Sequence, residues 1–565
     1  MTRFVGRISA ASSDKKGEKS GKKWWHNAVV YQIYPRSFMD SNGDGIGDIN
    51  GIISKLDYLQ QLGINLIWLS PVYRSPMDDN GYDISDYEDI AAEFGSMAQM
   101  ESLIAQAKQR DIHILMDLVV NHTSDEHPWF IEALKSKDNP YRDYYIWRKP
   151  AADGGQPNDF HSYFGGSGWA FDEASGEYYL HQFSVRQPDL NWENPRVHGE
   201  VHAMMNRWLA KGIGGFRMDV IDLIGKEVDA QIMANGKNLH ALIRQMNRAT
   251  FGKGDAVTVG EAWSATPADA LLYSGVEREE LSMVFQFDHI KQFWDEHAGK
   301  WRSKPFELAS FKAVIEKWQT ALAHQGWNSL FWSNHDLPRA VSKFGDEGEF
   351  RVASAKMLAT ALHCLKGTPY IYQGEEIGMT NVRYETIDEY RDIESLNLYQ
   401  ERLAEGVSHE EMMQGIHANG RDNARTPMQW DDSPNAGFTT GTPWITVNPN
   451  YREINVAAAL AEPDSILWHY QKLVALRKQY PVLVYGDFQP VLREHPQVFA
   501  WLRALDSERL LVINNFTAEH LTLDIPHQMQ NWHGECLISN YAPRDRLAVS
   551  IELQPYESFA LLIGR

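Results

Sequence analysis

The sequence has almost no cysteine, no long apolar run and a deficit of positive charge. Only Cys364 and Cys536 occur among 565 residues, so neither a disulfide framework nor a cysteine-based zinc site is indicated. No stretch approaches the roughly 18 uninterrupted apolar residues of a membrane span, and we expect no membrane as a partner. A formal net charge of −21 also disfavours nucleic acid as a partner.

The first 23 residues are polar and basic and lack the apolar stretch of a secretory signal peptide. We therefore interpret residues 1–23 as a disordered tail rather than a targeting segment. Together with the low cysteine content, this indicates a reduced, cytoplasmic setting. We expect a monomer whose partner is a small-molecule substrate.

Apolar, strand-like runs alternate with amphipathic helical patterns from residue 24 onward, for example the helical patterns at 51–63 and 96–110. Eight runs with crossovers are what a closed (β/α)8 TIM barrel of the α/β class requires. A doubly wound open sheet is the alternative, but polar groups at the ends of the runs favour the barrel. The eight runs cover residues 29–35, 64–71, 112–120, 214–220, 256–262, 282–287, 328–336 and 369–374.

Two departures from this alternation predict additional domains. About 70 residues rich in Gly, Asn, Asp and aromatics follow the third run, too many for an ordinary loop, and we predict an inserted subdomain at 122–189. Short alternating strands at 498–505, 510–516, 548–555 and 558–564 predict a C-terminal antiparallel β-sandwich domain. The predicted boundaries are 24–121 and 190–480 for the barrel and 481–565 for the C-terminal domain.

Three of the barrel runs end in a carboxylate: Asp219, Glu261 and Asp336. Parallel α/β barrels place their chemistry at the carboxyl ends of the strands. Glycoside hydrolysis needs two carboxyl groups beside the scissile bond, one protonated and one ionised. A single Asp at a strand end could equally cap a helix or join an ion pair, but three such acids together predict a glycosidase site.

The neighbours of these acids fit the two roles. Arg217 lies two residues before Asp219 and therefore on the same face of a strand, where its charge would keep Asp219 ionised. Glu261 lies near Trp263, and an apolar, aromatic surrounding raises the pKa of a carboxyl group, as a general acid requires. His122 and His335, also at strand ends, could donate hydrogen bonds to sugar hydroxyls.

Four motifs make the sequence similar to glycoside hydrolase family 13, the α-amylase family. They are residues 117–122 (DLVVNH), 215–220 (GFRMDV), 260–263 (GEAW) and 331–336 (FWSNHD). The resemblance implies a retaining mechanism with Asp219 as the nucleophile, Glu261 as the general acid/base and Asp336 as the acid that distorts the sugar. It also implies a subsite for the terminal sugar formed by Asp79, Tyr82, His122, Arg217, His335 and Arg425.

Within that family the chain most resembles the oligo-1,6-glucosidase subgroup, and dextran glucosidase in particular. Val220, after the nucleophile, looks like the residue of the α-1,6-acting members, where a β-branched side chain would press on the next sugar. Lys300 and Trp263 are expected contacts for that sugar, although Lys300 could equally be a surface lysine. The resemblance therefore implies a retaining exo-α-glucosidase that removes α-1,6-linked glucose from isomaltooligosaccharides or dextran.

Related specificities remain as alternatives, namely hydrolysis of isomaltulose, trehalulose or trehalose 6-phosphate. A non-catalytic carbohydrate-binding scaffold on the same fold is a further alternative, because fold does not fix function. Scaffolds of this kind lose at least one of the three acids, and all three are present here.

Residues 40–48 (DSNGDGIGD) alternate oxygen-bearing side chains with glycine. Such spacing is typical of calcium loops, but no Glu occupies the twelfth position and no helix precedes the loop, as an EF-hand would require. A solvated turn is the competing interpretation. The resemblance implies a structural Ca²⁺ bound by Asp40, Asn42, Asp44, Ile46 through its carbonyl, and Asp48, with no cofactor for catalysis.

Overall fold

The computed structural model describes residues 21–563, and its centre is a sheet of eight parallel strands. Each strand pairs with its neighbours in order, and a parallel bridge between Val284 and Asn328 joins the sixth strand to the seventh. The sheet therefore closes into a TIM barrel, and the open-sheet alternative is wrong. The strands are Val30–Ile33, Leu66–Leu69, His113–Leu118, Gly215–Met218, Val257–Glu261, Met283–Phe285, Ser329–Phe331 and Thr368–Tyr372.

All eight predicted runs contain a barrel strand, because their residues are apolar and buried on both faces. The helix predicted at 51–63 is instead two helices, since the backbone at Lys55 departs from helical angles. The helices that surround the barrel are Ile49–Ser54, Leu56–Leu62, Met97–Lys108, Pro195–Ala210, Leu239–Ala249, Pro267–Ser274, Leu308–Ala321, Arg351–His363 and Ile466–Gln479.

The insertion after the third strand begins and ends at the same point of the barrel rim. His122 and Asp189 form an antiparallel bridge there, so the two ends of the insertion lie side by side. Between them a short helix, Pro128–Ala133, precedes three antiparallel strands. These strands are Trp147–Arg148, Trp169–Asp172 and Glu177–Leu180.

The C-terminal part of the chain forms two antiparallel sheets, of five and of two strands. A helix, Pro481–Tyr485, precedes the first of these strands. The sequence patterns located four of the strands and missed Asp487–Val491, Leu521–Asp524 and Gly534–Ser539, which are short or largely exposed and so lack a clear apolar alternation. The four strands that they located are Val498–Leu505, Glu508–Asn515, Ser550–Leu553 and Ser558–Ile563.

Most of the predicted N-terminal tail, residues 1–20, lies outside the described residues, and that prediction stays untested. None of the helices within residues 21–563 has the length and apolarity needed to cross a lipid bilayer.

Gly215 begins the strand that leads to Asp219 and adopts a φ of 149°. A Cβ atom at this position would lie 1.8 Å from the carbonyl oxygen of Val257 on the next strand. We expect Gly215→Ala to destabilise the barrel by about 2–5 kcal/mol, because the backbone strain and the overlap act together. A lower unfolding temperature in differential scanning calorimetry would report it.

Gly199 is the matched control, since it lies on the exposed face of helix Pro195–Ala210 with nothing within 4 Å of a Cβ. Gly199→Ala should raise stability by about 0.5–1 kcal/mol through the better helix propensity of alanine. Equal unfolding temperatures for the two variants would contradict the role assigned to Gly215.

Candidate active site

Asp219 and Glu261 lie against the same guanidinium group. Arg217 Nη1 contacts Asp219 Oδ1 at 2.9 Å, and Arg217 Nη2 contacts Glu261 Oε2 at 2.9 Å. A third carboxylate, Asp117 on the neighbouring strand, accepts from Arg217 Nη1 at 2.9 Å. The arginine is fully buried, so it holds these acids together without water between them.

Two adjacent barrel strands carry the two acids to the same rim. Glu261 is the last residue of its strand, and Asp219 follows the strand Gly215–Met218 directly. The backbone then turns sharply at Val220, which has φ 35° and ψ 45°. Its N–H consequently points at Glu261 and donates to Oε1 at 3.0 Å. A β-branched residue in this left-handed region is strained, and such strain is often found at active sites.

Burial raises the pKa of Glu261 above its ordinary value, even though Arg217 opposes the shift. Burial also raises the pKa of Asp219, and the charge of Glu261 adds to this effect. Arg217 lowers the pKa of Asp219, as expected, but burial and Glu261 oppose it, and the ionised state of Asp219 stays a prediction. Since each ionised acid raises the pKa of the other, they titrate as a pair that releases its two protons in separate steps.

Asp336 is held as an anion. Burial by itself would raise its pKa, but the imidazole of His335 and the guanidinium groups of Arg421 and Arg425 hold the pKa well below the usual range. Arg421 Nη1 lies 3.3 Å and Arg425 Nη2 3.2 Å from Asp336 Oδ1. Asp336 thus differs in charge from the pair Asp219 and Glu261, which retains protons more readily.

The three acids line one cavity of about 440 Å³ at the rim of the barrel. Most of the residues that the sequence predicted for a sugar site lie on its wall: Asp79, Tyr82, His122, Asp219, Val220, Glu261, Trp263, Lys300, His335 and Asp336. Arg217 lies behind the acids. Apolar rings that the sequence analysis missed complete the wall: Tyr163, Phe164 and Phe183 from the insertion, and Trp294 and Trp301 from the loop after the sixth strand.

The sequence predicted that Arg425 reaches the terminal sugar. The arginine that lines this cavity is instead Arg421. Arg421 lies on the cavity wall and pairs with Asp79 at 3.0 Å and with Asp392 at 2.6 Å. Arg425 is 1% exposed and donates from Nε to the backbone carbonyl of His335, so it supports Asp336 from behind. Both arginines belong to residues 421–432, and only their positions in space distinguish them.

Aromatic and imidazole rings form a flat surface beside the acids. Tyr82 and His335 stack with ring centroids 5.0 Å apart and planes within 3°. The Tyr82 hydroxyl donates to Asp117 at 2.8 Å, which fixes the ring. Sugar rings pack on such flat apolar faces, while the neighbouring carboxylates accept hydrogen bonds from their hydroxyls.

The residues expected to contact the second sugar, Trp263 and Lys300, also lie on the wall of this cavity. Trp263 stacks on Phe287 with centroids 3.6 Å apart and with nearly parallel planes. Lys300 belongs to the strand Gly299–Ser303 and forms an ion pair with Glu394. Lys300 is therefore not a free surface lysine, and its ammonium group is held in place by a carboxylate.

The predicted calcium loop is compact. Asp40 accepts backbone N–H groups from Asn42, Gly43 and Gly45, and its pKa lies below the ordinary value because these bonds and that from Thr439 outweigh burial. Asp48 caps the helix Ile49–Ser54 through Gly51 N. Within residues 21–563 no three Asp, Glu, His or Cys side chains form a metal-binding group.

Comparison with known proteins agrees with this geometry. Residues 32–486 match the α-amylase catalytic domain family, and residues 498–559 match the C-terminal domain of the α-amylase SusG. The chain belongs to the α-amylase family. It is a glycoside hydrolase of that family, and the resemblance seen in the four sequence motifs is confirmed.

Among its relatives, a palatinase of Erwinia rhapontici is 73% identical over 96% of this chain and 99% of its own. An oligo-1,6-glucosidase of Bacillus cereus is 56% identical over 95% and 99% of the two chains. A crystal structure of trehalose-6-phosphate hydrolase from Bacillus licheniformis superimposes with a TM-score of 0.93 at 46% identity, covering 96% of this chain and all of the other.

Removal of Arg421 tests the electrostatics of this wall. Arg421 lowers the pKa of buried Asp392 to about 2, against burial. This pair therefore stabilises the fold at pH values above about 4, and the contribution is lost as the pH falls towards 2. At pH 7 we expect Arg421→Met to lower stability by about 3–5 kcal/mol, because Asp79 loses its cation and Asp392 keeps only the longer contact with Arg425.

At pH 4.5 the loss should be smaller, because a buried Asp392 that keeps only Arg425 as a partner takes up a proton more readily. Thermal unfolding at the two pH values measures the difference. Arg302→Met is the control, since Arg302 forms an exposed pair with Glu411, and its loss should leave the unfolding temperature nearly unchanged at both pH values. An identical loss for Arg421→Met at both pH values would contradict the assignment.

Proposed function

We propose that this protein is a retaining exo-α-glucosidase that hydrolyses terminal α-1,6-glucosidic bonds. The observation that carries the proposal is the shared cavity in which Asp219 and Glu261 contact one guanidinium group beside an ionised Asp336. Contact with one guanidinium brings the two carboxyl groups close together, which favours the double displacement of retaining enzymes, whose acids lie about 5–5.5 Å apart, over the wider spacing of an inverting site.

In the proposed reaction, an oxygen of Asp219 attacks the anomeric carbon while Glu261 gives its proton to the glycosidic oxygen. The bond between the sugar and the leaving alcohol breaks, and the glucosyl unit is held as an ester on Asp219. Glu261, now ionised, takes a proton from water, whose oxygen attacks the anomeric carbon and releases Asp219. The raised pKa of Glu261 fits the first step, because the acid must still be protonated when substrate binds.

The ion-paired wall supports release of one terminal glucose at a time. We infer that Arg421, Asp79 and Asp392 close the far end of the cavity, because three buried charged groups in mutual contact leave no room for a further sugar. The carboxylate of Asp79 is then available to accept hydrogen bonds from the hydroxyls of the terminal sugar. A chain that continued beyond this sugar would have to break the pairs.

The charges of the cavity argue against a phosphorylated substrate. Its lining contains six acids, Asp79, Asp219, Asp222, Glu261, Asp336 and Glu394, against three cationic side chains. Each of these cations already has an acceptor: Lys291 donates to the Trp263 carbonyl at 2.6 Å, Lys300 pairs with Glu394, and Arg421 pairs with Asp79. A phosphate group would meet net negative charge, so trehalose 6-phosphate fits this cavity poorly.

Isomaltulose is the second candidate substrate, supported by the 73% identity to a protein named palatinase. It shares the α-1,6-linked glucose with isomaltose and differs only in the leaving sugar. The residues that would distinguish the two leaving sugars are Trp263, Lys300 and Val220. The subsite for the glucose itself would be the same for both.

Initial rates with isomaltose, isomaltulose, isomaltotriose, maltose and trehalose 6-phosphate test the function. We expect the two α-1,6-linked disaccharides to be cleaved with a kcat/KM at least about 100-fold above that of maltose, a selectivity within reach of steric discrimination at Val220. The rate of Asp219→Ala provides the background rate of hydrolysis. A retaining mechanism should release glucose as the α-anomer. A higher kcat/KM for maltose than for isomaltose would overturn the linkage assignment.

Val220→Thr refines the test, since threonine has nearly the same volume but adds a hydroxyl. We expect the ratio of maltose to isomaltose turnover to rise, because a side chain with a hydroxyl accommodates the second sugar of an α-1,4-linked substrate better than the apolar valine does. A trehalose 6-phosphate rate above that of isomaltulose would contradict the electrostatic argument.

We also propose that residues 40–48 bind a structural Ca²⁺. The donor set is of the hard-oxygen kind that calcium takes, and an oxygen of each of Asp40, Asn42, Asp44 and Asp48 accepts from a backbone N–H of the loop itself. Asn42, Asp44 and the Ile46 carbonyl would add ligands to the carboxylates of Asp40 and Asp48. The loop packs on residues 438–444, so its role would be stability of the barrel rim.

Chelation tests this proposal. We expect excess EDTA to lower the unfolding temperature by several degrees, and CaCl₂ to restore it, because a ligand that binds only the folded state stabilises it. Asp44→Ala should remove the difference. Identical unfolding temperatures with EDTA and with CaCl₂ would refute a calcium site.

A further inference from the structure

Lys226 is a buried cation that the reaction does not use. It lies after the fourth barrel strand, it is 5% exposed, and its ammonium group lies 3.3 Å from Asp189 Oδ2. Nζ also donates to the side-chain oxygen of Asn121 at 2.8 Å. The lysine therefore connects the end of the third strand, the end of the insertion and the loop after the nucleophile.

The contact with Lys226 fixes the orientation of the Asn121 amide. An ammonium group can only donate, so Asn121 must face it with Oδ1. The amide nitrogen of Asn121 then points the other way, and it lies 3.1 Å from Nδ1 of His122. An NH₂ group can only donate, so Nδ1 of His122 must accept and cannot carry the proton.

The other side of the ring gives the same answer. His122 Nε2 lies 3.0 Å from the backbone carbonyl of Tyr82, which can only accept. Gln187 Nε2 is 3.3 Å away, but its two N–H groups are directed at Asp79 Oδ2 and the Tyr82 carbonyl. Burial lowers the pKa of His122 to about 4, so the ring is neutral at pH 7 and has one proton to place.

We propose that Lys226, acting through Asn121, is a positioning residue that keeps the single proton of His122 on Nε2. His122 lies on the cavity wall near Tyr82 and Asp79, and its Nε2–H, which donates to the Tyr82 carbonyl, can be shared with a hydroxyl of the bound sugar. Without the ammonium group, only the hydrogen bond to the carboxylate of Asp189 opposes rotation of the Asn121 amide, which can then offer its oxygen to Nδ1. In part of the population the proton then moves to Nδ1, although the Tyr82 carbonyl still favours Nε2–H, and in those molecules Nε2 can only accept a hydrogen bond.

The functional half of this inference rests on the proposed glucosidase activity, but the tautomer can be measured without substrate. In protein labelled with ¹⁵N-histidine, the nitrogen shifts show which ring nitrogen carries the proton, and His122→Gln identifies the signals. We expect Nε2–H in the unmodified protein and a shift of population towards Nδ1–H in Lys226→Met. Nδ1–H in the unmodified protein would overturn the proposal.

Three further variants separate positioning from simple loss of stability. Lys226→Met with Asp189→Asn removes both buried charges, so it should recover stability while the tautomer stays changed. Asn121→Asp cannot donate to Nδ1 and should give Nδ1–H although Lys226 is present. Lys312→Met is the matched control, because Lys312 is another buried lysine, bound only to the carbonyls of Leu492, His495 and Val498.

Kinetics complete the test with the best α-1,6-linked substrate. We expect Lys226→Met and Asn121→Asp to lower kcat/KM about 10-fold, the effect of one lost hydrogen-bond donor, while Lys312→Met leaves it unchanged. A folded Lys226→Met that keeps Nε2–H, or one with Nδ1–H and unchanged kcat/KM, would refute the positioning role. Failure of the glucosidase assignment would instead appear as inactivity of the unmodified protein, with the tautomer result intact.

Discussion

The active site depends on a charge imbalance around one buried arginine. Arg217 contacts Asp117, Asp219 and Glu261 at 2.9 Å each, so one positive charge faces three buried acids. Full ionisation of all three is unfavourable, and their pKa values rise together. This arrangement favours a state in which one acid keeps its proton beside an ionised one, which is the condition that acid-assisted displacement requires.

The charge imbalance around Arg217 does not extend to Asp336. Asp336 lies only a few residues from the seventh strand, yet its surroundings are cationic and its pKa moves in the opposite direction. Arg421 and Arg425 provide those cations, and Asp392 balances them from behind. Acids of one chemical type therefore hold different charges within one cavity, because the counter-charges are placed unequally.

Much of the fold and the three acids could be predicted from the sequence, because both follow local rules. A buried parallel strand is a continuous apolar run, and a polar residue at its end marks the rim. The errors lie where partners are distant in the chain. Arg421 and Arg425 look equivalent in one motif, and their roles differ only through Asp79, more than 300 residues away. Lys226 belongs to no recognisable motif, and its role follows only from its contacts with Asn121 and Asp189.

Val220, at the left-handed turn after the nucleophile, has two roles. Its side chain faces the cavity, while its backbone N–H holds an oxygen of Glu261. Any substitution that relaxes the turn to a more comfortable backbone would redirect that N–H and release the proton donor. A change of linkage specificity at this site is therefore confined to side chains that tolerate the left-handed turn. A side chain that does not tolerate it would admit a new substrate but lower the rate of turnover.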